Sequence, residues 1–104
     1  MKVFTRGAEV AFENIRFLDE DGALTIPEEA CLHIAYPKNQ TTVDVEIALA
    51  ADEDGLWSAV WDSTPTDPGI IYWHVRSKVP DTGKGAQEGH FRVKANLANF
   101  ECGA

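Results

Sequence analysis

Asp67-Pro68-Gly69-Ile70-Ile71-Tyr72-Trp73-His74-Val75-Arg76-Ser77-Lys78 is a turn followed by a run of period two. Ile71, Trp73 and Val75 are apolar, and Tyr72, His74, Arg76 and Lys78 interleave with them. Side chains alternate between the two faces of a strand, so the run predicts a half-buried β-strand. Its outer face is aromatic and basic. Pro68-Gly69 separates it from what precedes, because neither residue continues a regular element well.

The same period extends outward in both directions. Val43, Val45, Ile47 and Leu49 alternate with Asp44, Glu46, Ala48 and Ala50. Leu32, Ile34 and Tyr36 alternate with Cys31, His33 and Ala35; Phe91, Val93 and Ala95 alternate with His90, Arg92 and Lys94. Trp57, Ala59 and Trp61 share one face of a further run. Val10, Phe12, Ile15 and Phe17 mark a strand over residues 9–17. Its switch from even to odd positions predicts a bulge near Glu13-Asn14.

Turn signals fall between these runs. Asp19-Glu20-Asp21-Gly22 and Asp52-Glu53-Asp54-Gly55 are the same tetrapeptide used twice, and Asp-Gly suits the positive φ of tight hairpins. Pro37-Lys38-Asn39-Gln40 and Thr64-Pro65-Thr66-Asp67-Pro68-Gly69 are further breaks. Pro80 to Gly89 holds three glycines and no large apolar residue, which predicts a mobile loop. No segment carries a sustained helical stripe. A chain of 104 residues supports one core. The expected fold is an all-β, immunoglobulin-like β-sandwich of six to seven mostly antiparallel strands over 1–95, followed by a tail over 96–104.

Asp54-Gly55-Leu56-Trp57 followed by Pro68-Gly69-Ile70-Ile71-Tyr72-Trp73-His74-Val75 resembles the E and F strands of bacterial immunoglobulin-like and fibronectin type III-like domains. The resemblance covers about a third of the chain directly and implies recognition or scaffolding, not catalysis. Tyr72 falls on the outward phase, so no buried tyrosine corner is expected. The size, the absence of an apolar leader after Met1 and the ending Ala95-Asn96-Leu97-Ala98-Asn99 resemble short accessory proteins of bacteriophage and prophage structural regions. The absence of a leader implies cytoplasmic synthesis, and the resemblance implies association with virions.

Several chemistries fail on named residues. A calcium loop starting at Asp19 needs ligands at Ala23 and Ala30, and one starting at Asp52 needs them at Leu56 and Ser63. Thr82-Gly83-Lys84-Gly85 leads into a strand pattern, whereas a phosphate loop needs a helix behind its lysine. Pairing residues 70–79 with 89–95 about a loop centred at 84 places His74 opposite Lys94 and His90 opposite Lys78. The two rings then lie ~13 Å apart and share no metal. Ser58 and Ser77 lack a nucleophile elbow, and Cys31 and Cys102 lack a histidine signature and read as reduced thiols. No enzyme activity, cofactor or metal is therefore expected.

Charge gives the sharpest surface signal. The chain carries a net charge of −8, which gives no drive toward nucleic acid or anionic membrane. Residues 70–95 reverse that sign: Arg76, Lys78, Lys84, Arg92 and Lys94 face Asp81 and Glu88 alone. In the register above, Arg76 lies opposite Arg92, a repulsion that needs an offset. Asp44 and Glu46 on an adjacent strand supply one; acid on another molecule, including a second copy of this chain, supplies the other. The expected function is a protein-interaction or assembly module. Its contact residues are Tyr72, His74, Arg76, Lys78, Lys84, His90, Arg92 and Lys94. The alternative is a carbohydrate-binding module with Trp57 and Trp61 as an aromatic platform.

Overall fold

The computed structural model describes residues 2–18, 21–79 and 85–95. These form ten strands: β1 Val3–Thr5, β2 Glu9–Ile15, β3 Phe17–Leu18, β4 Leu24–Thr25, β5 Glu29–Lys38, β6 Thr41–Ala48, β7 Ala50–Ala51, β8 Trp57–Asp62, β9 Gly69–Val79 and β10 Gly85–Lys94. The number exceeds the six to seven expected. The surplus comes from elements of two or three residues (β1, β3, β4 and β7), which are too short to show a period. Among the described residues no helix is long and apolar enough to cross a membrane.

The fold is an all-β sandwich. One sheet runs β1-β10-β9-β5-β6 and the other β2-β8-β7, with β3 and β4 as a separate hairpin. β1 pairs parallel with β10, and every other ladder is antiparallel. β9 is held between its hairpin partner β10 and β5. Aromatic contacts join the sheets. Phe12 on β2 meets Trp73 on β9 edge-on at 5.2 Å, and Trp61 on β8 meets Tyr36 on β5 at 5.7 Å. Leu32, Ile34, Ile71, Val75 and Val93 fill the centre between them.

Local chemistry explains the connections. The β2 register skips between Phe12 and Ile15, and Asn14 takes φ 58°, which is the expected bulge. Asn39 and Gln40 both take positive φ, 51° and 64°, so β5 and β6 are joined by a two-residue turn of the I′ kind. The second Asp-Glu-Asp-Gly repeat is a closed turn. The Asp52 carboxylate accepts from the N–H groups of Asp54 and Leu56 at 2.8 and 3.0 Å, with Gly55 at φ 75°. One carboxylate oxygen is thereby committed to its own backbone. Loop 63–68 is pinned at both ends: buried Ser63 donates to the Ala8 carbonyl, and the Asn39 N–H donates to the Asp67 carboxylate.

The expected β9–β10 register is not the observed one. His90 stands opposite Tyr72, not Lys78; Glu88 stands opposite His74, and Arg92 opposite Ile70. Arg76 faces Gly85 and Cys31, so the expected repulsion between Arg76 and Arg92 does not arise. The correction follows from where β10 begins. Gly85 already pairs, because ladder bonds are made by backbone and need no large side chain. Burial of Phe91 directly opposite buried Ile71 then sets the register.

Candidate functional site

The outer face of the five-stranded sheet collects the polar chemistry of the chain. The alternation that buries Leu32, Ile34, Ile71, Val75 and Phe91 turns their neighbours outward. Register then arranges those neighbours in rows across β10, β9, β5 and β6. One row reads His90, Tyr72, Ala35, Asp44; the next reads Glu88, His74, His33, Glu46. A hollow of about 880 Å³ lies over these rows, lined by His33, Tyr72, His74, Arg76, Glu88 and His90 among others.

Two ring pairs shape the hollow. His33 and His74 stack with centroids 4.7 Å apart, and Tyr72 and His90 lie 5.9 Å apart. Tyr72 is 59% exposed despite its size. Partial burial lowers the His74 pKa, reinforced by the positive charges of His33 and Arg76 and opposed by Glu88 and Asp44.

Beside the hollow sits a tighter cluster. Cys31 Sγ lies 3.2 Å from His33 Nε2, and Glu46 Oε1 lies 3.8 Å from the same nitrogen. Lys78 Nζ closes on Glu46 Oε1 at 3.4 Å. Cys31 points to the outer face yet is only 2% exposed, since these longer side chains cover it. Burial pushes its thiol up to about 11, and the Glu46 carboxylate that accepts from it adds to the rise. Glu46 is held below the usual carboxylate range by that hydrogen bond and by the Lys78 charge. A protonated, covered thiol is a poor nucleophile. Glu46 also meets the same imidazole nitrogen as the thiol, so it cannot orient His33 from the far side as a relay requires. What the three groups share is ligand chemistry: one donor atom from each lies within 4.8 Å of the other two.

Of the residues expected in the contact surface, Tyr72, His74, Arg76, Lys78, His90, Arg92 and Lys94 do share this outer face. Arg92 and Lys94 lie toward β1, at the level of Val3 and Thr5. Lys84, Cys102 and the tail 96–104 lie outside the described residues. Trp57 and Trp61 do not form a platform. Each is 5% exposed, with Trp57 edge-on to Phe17 at 5.9 Å and Trp61 against Tyr36. Their shared face is the core face, because two indoles bury more apolar area than a surface tolerates. Cys31, His33 and Glu88 were not expected as partners of this face; Glu46 was, but its strand β6 is separated from β9 by β5 and does not lie directly beside it. The signal was present: a two-residue turn at Asn39-Gln40 places His33 directly opposite Glu46.

No protein family and no curated protein matches the sequence. A solved structure does match the fold: a candidate glycoside hydrolase from Bacteroides vulgatus superposes with a TM-score of 0.55 at 11% identity. The match covers 92% of this chain and 17% of the other. At that identity the likeness concerns the fold alone.

Proposed function

We propose that this chain is a non-catalytic protein-interaction or assembly module of the immunoglobulin-like class, binding through the outer face of β10, β9, β5 and β6. The observation that carries the reading is the hollow itself, with exposed Tyr72 at its lip and charges of both signs around it. Exposed aromatic and arginine side chains with a polar surround have the composition of a contact surface. The resemblance to phage accessory domains fits the same role. A photo-crosslinking group at position 72 should capture one discrete partner, or a second copy of the chain. The same group at Glu9 on the opposite sheet should not. Equal and diffuse capture from both positions would overturn the reading.

A second reading is favoured by one observation. Tyr72 with His90 offers an exposed ring pair of the kind that stacks on sugars, in place of the buried tryptophans. The solved neighbour's description as a candidate glycoside hydrolase suits that reading. Titration with soluble glycans, followed through the emission of Trp73 beneath the hollow, separates the two.

A further inference from the structure

We propose that Cys31, His33 and Glu46 form a binding site for a divalent transition-metal ion of the zinc kind. The inference is independent of what partner the module binds. Three donors of different chemistry converge from two adjacent strands. Cys31 and His33 are two residues apart on β5 and share its outer face, and Glu46 is the cross-strand partner of His33 on β6. The ladder therefore fixes the trio, with no loop involved.

The distances suit a tetrahedral ion. Zinc bonds of ~2.3 Å to sulfur and ~2.0 Å to nitrogen or oxygen put neighbouring ligand atoms ~3.3–3.6 Å apart. The observed separations are 3.2 Å for Sγ to Nε2 and 3.8 Å for Nε2 to Oε1, bracketing that range. A few tenths of an ångström of side-chain movement brings these two pairs to that range, and the third pair, thiol to carboxylate, lies within 4.8 Å. Thiolate, imidazole and carboxylate together favour zinc over magnesium or calcium, which take oxygen ligands. The His33 and Glu46 side chains are 32% and 45% exposed, so the fourth position opens toward solvent and the hollow. Three protein ligands and one open position is the arrangement that leaves room for water or a donor from a partner.

Two neighbours have defined places. His74 stays outside the coordination sphere, because an imidazole binds metal in its own ring plane and the two rings are stacked 2° from parallel. Lys78 competes, since its ammonium holds the same carboxylate oxygen that lies nearest His33. On binding, the metal–sulfur bond forms and the S–H bond breaks. The proton leaves to the buffer, and no electron is transferred. Lys78 then releases Glu46.

The test uses the full chain carrying Cys102→Ser, which removes the second thiol. Zn²⁺ titrated by calorimetry should bind at one ion per chain. Co²⁺ should give a near-ultraviolet thiolate charge-transfer band with the strong visible bands of tetrahedral cobalt. Cys31→Ser should abolish the charge-transfer band. His33→Gln should weaken Zn²⁺ by more than the ~10–100-fold typical of losing an outer-shell partner. His74→Gln should leave stoichiometry and band unchanged, and Lys78→Met should tighten binding. If Cys31→Ser fails to fold, the half-exposed His33 position carries the test. Absence of the cobalt band, or Zn²⁺ affinity indifferent to His33→Gln, overturns the proposal.

Discussion

The imidazole rings of His33 and His74 lie face to face across β5 and β9, 4.7 Å apart and 2° from parallel. They are direct cross-strand partners, flanked on the same row by Glu46 on one side and Glu88 on the other. Two imidazolium charges at that separation repel, so the stack disfavours double protonation. Burial lowers the His74 pKa first, and the charges of His33 and Arg76 lower it further.

That shift fixes the sign of a pH effect. As pH falls through ~6.5, an unfolded histidine takes up a proton that folded His74 still refuses. The unfolded state then binds more protons, so stability drops on acidification and stops dropping from this cause below the lowered value. Glu46 extends the loss to lower pH, because its depressed pKa means its contribution fades as pH falls through that value. Urea midpoints measured with chelator present should stay level from pH 8 to about 7.5 and then fall toward pH 5. His74→Gln should flatten the upper part of that slope. A midpoint that climbs on acidification rules the account out.

The turn between β5 and β6 predicts a stabilising change. Gln40 holds φ 64°, where a β-carbon crowds the following carbonyl. Asn-Gly is the preferred pair for this turn, since both central residues need positive φ. Glycine loses more chain entropy on folding, which offsets part of the gain. Gln40→Gly should therefore raise stability by ~0.5–1 kcal/mol, or several degrees of Tm for a domain of this size. A lowered Tm would show that the Gln40 side chain makes a contact worth more than its strain.

Much of this architecture is legible in the residues, and the reason lies in period two. Alternation at 43–49 and 71–77 puts the correct side chains inside, and the phase switch between Phe12 and Ile15 marks the bulge at Asn14. Tyr72 sits on the outward phase as its neighbours demand. Ladder order is less legible, because alternation says which face a residue takes and not which strand lies beside it. β5 separates β6 from β9, so Glu46 reaches Lys78 across an intervening strand. The β9–β10 register fails for a different reason. Gly85 and Gly89 carry no hydrophobic signal, and a paired strand there looks like loop. That slip also hid the rows that bring His33, His74 and Glu88 together.

The phase of β9 can be tested with two adjacent substitutions. Ile71 is fully buried, and Tyr72 is largely exposed. Ile71→Ala leaves a cavity at the sheet interface and should cost ~2–5 kcal/mol by chemical denaturation. Tyr72→Ala removes a ring from solvent and should stay within ~0.5 kcal/mol of the parent. It should nonetheless lose partner capture by a photo-crosslinking group placed at His90 instead, since it strips the lip of the hollow. Comparable destabilisation by both would mean that Tyr72 is covered.

Gly89 offers a prediction whose sign depends on one ring. A β-carbon built there meets Trp73 Cζ2 at 2.8 Å and Cε2 at 2.9 Å, closer than such contacts allow. Trp73 is the direct partner of Gly89 on β9, and its indole is also held edge-on by Phe12 at 5.2 Å. The ring is rigid, so it cannot bend away; it must slide and give up the Phe12 contact. Gly89→Ala should therefore cost ~1–3 kcal/mol, as overpacking does, and shift tryptophan emission. The backbone at Gly89 is not in the left-handed region, and the three nearest atoms a β-carbon would meet all belong to the indole. In a Trp73→Val background the same substitution meets no ring. Alanine should then match or exceed glycine, because a strand interior favours it by ~0.5–1 kcal/mol. A double-mutant cycle by urea denaturation reads the coupling directly. If Gly89→Ala is equally costly in both backgrounds, the indole is not what reserves this position for glycine.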